Sequence, residues 1–483
     1  MNKILNKYKS LSVQARASFW FLICAFLQKG ISSITTPIFT RLMTNEEFGE
    51  FGVFNSWMGI ISVFVTFNLF YGVYSQGLVK FSEERAIFSS SLEGLTLTLT
   101  VIYTVVYLLF HRFFNELFHL TTIQMLSMFL LMWTSAVFNL WAEEQRVEFK
   151  YKAIVAVSLV TSLITPILSI ILIKLSEDKV TARIIGSVLV NAICFSVLFV
   201  IHIRHGGVFY SKKYWVYAIK YNLPLLPHYL SATVLSSADR IMIEHITGSG
   251  DAGIYNLAYS VALIMTIFNT VLMQTISPWM YQKIKDKKIK DIENIAYISL
   301  LMIGAVNILL ILFAPEIISI FAPKEYYDAV WAIPPVVMSV YFMYSYNLFA
   351  KFAFYYEKTN FIMIGSIVGA LLNVVLNYLM IPVFGFVAAA YTTLICYMIF
   401  AFAHYLFMRK VCRGYCDGIM PYNTKIILII TIVFLILGFT LMITYLNIFV
   451  RYAMISTVMI LTILFRERIK TAIQVIIAMK KKK

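Results

Sequence analysis

Residues 361–380 read FIMIGSIVGALLNVVLNYLM, twenty consecutive positions without a charged side chain. As a helix this run crosses about 30 Å, the thickness of a bilayer's hydrocarbon core. Its apolar residues are continuous rather than alternating, so it reads as a helix and not as a barrel strand. Only those two structures satisfy every backbone polar group inside lipid. Similar runs recur from Ala17–Phe39 to a final pair at Ile426–Leu446 and Ile448–Leu464, about fourteen in all. The predicted fold class is therefore an all-α integral membrane protein with about 14 transmembrane helices.

Composition agrees. The 483 residues are 60% hydrophobic and 13% charged, against about 25% charged in a soluble domain. With the N-terminus in the cytoplasm, thirty of the forty Lys and Arg fall on the cytoplasmic side and seven on the other. That asymmetry is what the positive-inside rule requires, and it places both termini in the cytoplasm. A shift of 204 residues lays the first six spans on the next six. In the best stretch Gly49, Ser56, Ile60, Phe64 and Thr66 meet Gly253, Ser260, Ile264, Phe268 and Thr270. Six spans is an even number, so both repeats enter the membrane in the same direction. Parallel repeats of this kind enclose transport sites between their halves. The expected organisation is a cytoplasmic N-terminus (1–16), a six-span lobe (17–204), a cytoplasmic linker (205–222) and a second six-span lobe (223–410). An extra helix pair (411–465) and an amphipathic basic tail (466–483) on the anionic leaflet complete it.

The loops carry little chemistry. No GxGxxG, P-loop, HExxH or zinc-spaced Cys/His set occurs, and the cysteines Cys24, Cys194, Cys396, Cys412 and Cys416 read as free thiols. No cofactor is expected beyond a coupling ion, H+ or Na+. Glu46, Glu47 and Glu50 read as a solvated helix end. A charge inside a span costs about 2.5–3.5 kcal/mol on insertion scales, so it normally faces a bundle interior or a wet cavity. Three cations meet that description: Lys29 beside Gln28, Arg240 beside Asp239, and Lys351. Together they predict a hollow of positive potential suited to an anionic substrate. The bland alternatives are snorkelling for Lys351 and mutual pairing for Asp239 and Arg240. Asn373 and Asn377, spaced i, i+4, share one helix face. Pro166, Pro224, Pro227, Pro334 and Pro335 predict bent spans.

TPIFTRLMTNEEFGEFGVF (36–54), ADRIMIEHITGSGDAGIYNLAYS (238–260) and LNVVLNYLMIPVFGFVAAAYTT (372–393) carry a family resemblance. They resemble the polysaccharide-transport branch of the multidrug/oligosaccharidyl-lipid/polysaccharide exporter superfamily, bacterial flippases for undecaprenyl-pyrophosphate-linked repeat units of O-antigen, capsule or related polymers. The resemblance implies a bacterial inner membrane protein, no enzymatic activity, two lobes around a cationic cavity, and alternating access. Lys29, Arg240 and Lys351 would hold the pyrophosphate, while Gln28, Asn373 and Asn377 would meet sugar hydroxyls. The implied partners are the lipid-linked oligosaccharide, membrane lipids, and a polymerase and chain-length regulator of the same pathway; nucleic acid is not among them. Two alternatives stay open: a cation-coupled multidrug exporter of the same superfamily, and a membrane polymerase or glycosyltransferase. The first expects an acidic residue where the first span has Lys29. The second expects a large outer loop.

Overall fold

The computed structural model describes residues 13–358 and 360–467 together with Lys470 and Gln474. Residues 1–12 of the expected N-terminus and most of the expected tail lie outside the described residues. The chain divides into two compact units, Met1–Ile241 and Met242–Lys483. All regular elements among the described residues are helical.

The first unit holds α1 (Val13–Leu42), α2 (Asn45–Val65), α3 (Val73–Lys80), α4 (Arg85–Leu109), α5 (His111–Phe118), α6 (Thr122–Val147), α7 (Tyr151–Leu175), α8 (Lys179–Gly206), α9 (Lys212–Asn222) and most of α10 (Leu226–Thr247). Reciprocal capping boxes start two of them. Thr44 Oγ1 accepts from the Glu47 N–H and the Glu47 carboxylate accepts from the Thr44 N–H; Thr121 and Gln124 repeat the arrangement at α6. Glu47, from the acidic cluster, thus works as a cap and also pairs with Lys179 at 3.4 Å.

Between α2 and α3 the chain turns through positive φ at Phe67, Asn68 and Gly72. The buried Asn222 holds that turn, its Nδ2 donating to the carbonyls of Phe67 (2.7 Å) and Asn68 (3.0 Å). Within residues 205–222, the expected linker, the structure forms the helix α9. Tyr214 and Ala218 of α9 sit in a core with Leu69, Tyr74, Phe88 and Leu92. The Lys213 ammonium, 2.7 Å away, and the Tyr214 hydroxyl hold the Glu84 carboxyl below its usual pKa.

The second unit holds the rest of α10, then α11 (Ser249–Ala262), α12 (Ile264–Lys285), α13 (Ile292–Leu312), α14 (Ala314–Phe321), α15 (Ala329–Tyr355), α16 (Asn360–Phe384), α17 (Phe386–Tyr415), α18 (Thr424–Ile443) and α19 (Ile448–Leu464). Its axis is α15, buried on nearly every face and packed against α17, α11, α13 and α12. The extra pair is integral to this unit. Tyr341 and Phe434 stack at 4.2 Å, Gly438 lets Met338 approach α18, and the buried Arg451 pairs with Glu316 at 2.6 Å.

Twelve helices among the described residues are long and apolar enough to cross a membrane, α11 and α12 counting as one continuous segment. The two other predicted spans also fold as helices. In α10 the side chains of Ser231, Thr233, Ser236, Ser237, Asp239 and Arg240 dilute its apolar character, and α19 is only 17 residues long. The protein is a multi-pass integral membrane protein.

Close backbone approach in the first unit depends on a bare Cα where α4 meets the segment joining α8 and α9. A Cβ on Gly94 would collide with the Phe209 carbonyl oxygen, whereas one on Gly414 meets nothing within 4 Å. Gly94→Ala is expected to destabilise by about 1–3 kcal/mol, since backbone cannot move aside cheaply. Gly414→Ala, within α17, is expected to leave stability unchanged or slightly raised. Thermal unfolding of the two variants in detergent checks the contrast; equal midpoints would contradict the close approach at Gly94.

Candidate functional site

Three helices of the first unit each carry a polar stripe at i, i+3 or i+4 spacing. On α1 it is Gln28, Ser32 and Thr35; on α7 Thr161, Thr165 and Ser169; on α8 Arg183, Ser187 and Asn191. Residues so spaced share a helix face, and in the structure all nine line one cavity of about 350 Å³. That volume holds about a dozen waters at roughly 30 Å³ each. Ile31, Phe39, Phe51, Ser162 and Pro166 complete the wall, and none of the fourteen lining residues is acidic.

Local chemistry explains what each wall presents. Pro166 has no N–H, so the Ser162 carbonyl in the preceding turn loses its helical donor and becomes an extra acceptor. Thr161 and Thr35 spend their protons on carbonyls of their own helices, at 2.9 and 3.1 Å, which leaves their lone pairs as acceptors. Ser169 donates across to the Arg183 carbonyl at 3.2 Å. That approach needs Gly186, because a Cβ there would run into Ser169. The amides of Gln28 and Asn191 have no hydrogen-bond partner among the described residues, so they remain for water or a ligand.

Arg183 supplies the positive charge. Its guanidinium carbon lies 3.8 Å from the ring centroid of Phe39 and 3.7 Å from that of Phe51, and Nη1 is 3.6 Å from Met43 Sδ. Two aromatic faces each contribute about 0.5–2 kcal/mol to holding a partly desolvated guanidinium. The two ring contacts hold the guanidinium at the cavity wall. The cavity therefore offers amide and guanidinium donors, hydroxyl and carbonyl acceptors, and one positive charge.

Of the predicted site residues, Gln28 lines this cavity. Lys29 follows it on α1, turned about 100° away; its side chain is exposed and has no hydrogen bond or ion pair among the described residues. Asp239 is buried, and Arg240 reaches α2, with Nε donating to Ser56 Oγ (2.8 Å) and Nη2 to the Ser236 carbonyl (2.7 Å). Lys351 belongs to the second unit, half-buried on α15, its Nζ 5.8 Å from the Phe354 ring centroid.

Asn373 and Asn377 require a correction. Both are fully buried between α16 and α17, where Asn373 Nδ2 donates to Thr393 Oγ1, Asn377 Nδ2 to Asn373 Oδ1, and Thr392 Oγ1 to Asn377 Oδ1. Their polar atoms are occupied in joining two helices, the usual use of an amide where lipid offers no partner. They are not exposed for sugar in this conformation. Sequence reasoning missed Arg183 by assigning it to a loop at the edge of a span. The signal that finds it is the repeat of polar residues every three or four positions on three neighbouring spans.

Among known proteins, residues 15–284 match the family described as polysaccharide biosynthesis protein, and residues 224–379 match the MatE family. A protein of the Lsg locus of Haemophilus influenzae is 25% identical over 213 residues, 41% of this chain; the match spans about half, 51%, of that relative. An uncharacterized membrane protein of the same organism is 20% identical over 364 residues, 73% of this chain and 86% of its own. Among solved structures, the lipid II flippase MurJ in its inward closed conformation has a TM-score of 0.68 at 16% identity, covering 92% of this chain and 99% of that one. An inward-facing multidrug resistance MATE family transporter of the MOP superfamily has a TM-score of 0.61 at 14% identity, covering 80% and 96%. At these identities the likeness is one of fold.

A wet cavity has a direct chemical signature, because a thiol reacts as the hydrated thiolate. In a background without the native cysteines, Ser187→Cys on the cavity wall is expected to react with a hydrophilic maleimide about tenfold or more faster than Ile193→Cys, on the exposed apolar side of α8. Equal rates in intact membranes would mean that the stripes pack dry.

Proposed function

This chain belongs to the polysaccharide biosynthesis protein family, and from that premise we propose that it translocates a lipid-linked oligosaccharide between the leaflets of its membrane by alternating access. The substrate class is an undecaprenyl-pyrophosphate-linked repeat unit, moved from the cytoplasmic to the outer leaflet. The observation that carries this reading is the lining of the first-unit cavity: three uncharged polar stripes and one stacked guanidinium, with no carboxylate among the lining residues. Sugar hydroxyls need donors and acceptors at a depth where lipid supplies neither. The amides of Gln28 and Asn191 and the hydroxyls of Thr161, Thr165 and Ser187 supply them. Pyrophosphate needs positive charge, and an Arg edge meets phosphate oxygens two at a time. Lys29, exposed on the same helix as Gln28, and Arg240 add charge in the first unit.

The MatE match and the MATE fold likeness keep a multidrug exporter as the second reading. A site for organic cations favours carboxylates, and this cavity presents a guanidinium instead. Resistance to cationic dyes on overexpression would favour that reading.

In a strain lacking this chain, the wild-type gene is expected to restore surface polymer. Arg183→Ala and Lys29→Ala are each expected to lower it about tenfold or more, the loss of one charge-assisted contact worth about 1.5–3 kcal/mol. Arg183→Lys keeps the charge but not the fork and should fall between. Full polymer in both alanine variants, at wild-type protein levels in the membrane, would remove these side chains from the substrate site.

A further inference from the structure

A second polar cluster lies in the first unit, nearer the other end of α8. His202 Nδ1 is 2.8 Å from Glu93 Oε1 on α4, and His202 Nε2 is 2.8 Å from Glu144 Oε2 on α6. The side chains of Glu93, His202 and Glu144 are 0%, 6% and 15% exposed. The first contact is a hydrogen bond; the second is an ion-pair approach without hydrogen-bond alignment. Glu93 Oε2 is fully buried and has no hydrogen-bond partner among the described residues.

Proton inventory decides what such a cluster can do. A neutral imidazole carries one N–H, so one of its nitrogens would turn a lone pair toward a carboxylate. Two ionised carboxylates against both nitrogens therefore require imidazolium, and the triad then carries one net negative charge. A net charge in a buried site is costly unless it is paired. One further proton on a carboxylate brings the triad to neutrality.

Lys150 acts electrostatically on Glu144 but is itself held by Glu148, and among the described residues no Lys or Arg forms an ion pair with Glu93 or Glu144. From α3, Tyr74 faces the cluster with its hydroxyl donated to Ser89 (2.7 Å), while Lys80 lies over the rings of Phe81 and Tyr217. From α6, Glu143 is taken by the Ser75 hydroxyl (2.6 Å) and Arg146 (3.0 Å), and beyond it Lys150 pairs with Glu148 (2.6 Å). From α4 and α9, Arg85 donates to the Leu78 carbonyl, and Lys213 and Tyr214 engage Glu84. Arg204 and His205 follow His202 in the last turn of α8. Among the described residues, His202 is the ion-pair partner of both Glu93 and Glu144.

We propose that Glu93, His202 and Glu144 form a proton-binding site of the first unit, which takes up one proton per chain and passes from a net charge of −1 to zero. The proton adds to a carboxylate oxygen, Glu93 Oε2 being the one without a hydrogen-bond partner among the described residues; no covalent bond between heavy atoms changes. The site ties together α4, α6 and α8. His202 is eleven residues from Asn191 on the same helix, about 17 Å along its axis, so α8 physically joins the proton site to the polar cavity. Use of that link for transport rests on the translocator reading; proton binding does not.

An infrared pH titration of the full chain in lipid nanodiscs tests the site without any transported substrate. Between about pH 9 and about pH 5, a range that brackets ordinary His titration, the wild type is expected to gain the carbonyl band of one buried protonated carboxyl group per chain. Glu93→Gln is expected to lack it. So is Glu144→Gln, which leaves Glu93 and His202 as a neutral pair with no need of a second proton. Glu144 sits at the less buried edge, so this variant serves if Glu93→Gln does not fold. Glu143→Gln is expected to keep the band. A wild type that gains no such band, or a band that Glu144→Gln leaves unchanged, overturns the proposal and makes the triad a permanent ion cluster.

Discussion

A polar side chain carried to the depth of a bilayer has only protein or enclosed water to satisfy it, and this structure is arranged around that constraint. The cost of leaving such a group bare is several kcal/mol, comparable with the whole stability of many domains. The first unit answers with two sites. At one, the stripes on α1, α7 and α8 face one another across a cavity and leave room for water. At the other, two carboxylates converge on one imidazole. The second unit answers by closure: Asn373 and Asn377 are bonded to each other and to the threonines of α17, and Arg451 is bonded to Glu316. A polar residue in a span therefore signals either a site or a seam, and only its neighbours tell which.

That distinction marks how far the sequence could be read. Apolar run length set the helical membrane class, because few other structures tolerate such runs, and the six-span repeat followed from spacing. The twelve apolar spans and the two weaker helices α10 and α19 agree with about fourteen. Placement of side chains was harder. Asn373 and Asn377 share a face, as their spacing requires, but the face meets α17. Arg183, Glu93 and Glu144 were assigned to loops, because spans were drawn around the apolar residues alone. The helices run further, α6 to Val147 and α8 from Lys179 to Gly206, and these extensions carry the charges inward. Similarly, α9 reads as part of a linker because the segment is short and basic; Tyr214 and Ala218 carry it into the core.

The family membership and the fold likeness leave the cargo to local chemistry. MurJ and a MATE transporter share the fold at 16% and 14% identity, so the fold alone does not choose between lipid-linked sugars and drugs. In the first-unit cavity a guanidinium stacked on Phe39 and Phe51 stands beside the amides of Gln28 and Asn191, and none of the lining residues is acidic. Pro166 and Gly186 contribute to the same wall through backbone alone, one by freeing a carbonyl and the other by admitting Ser169.

The account stands or falls on movement of a lipid-linked sugar between leaflets. The direct measurement is leaflet exchange in vesicles containing the purified full chain, with a fluorescent polyprenyl-pyrophosphate oligosaccharide as probe and an impermeant quencher outside. The account predicts that vesicles with the protein expose the whole probe pool to the quencher, while protein-free vesicles protect the inner half. Protection of the inner half in both, with the chain folded and inserted, would contradict it.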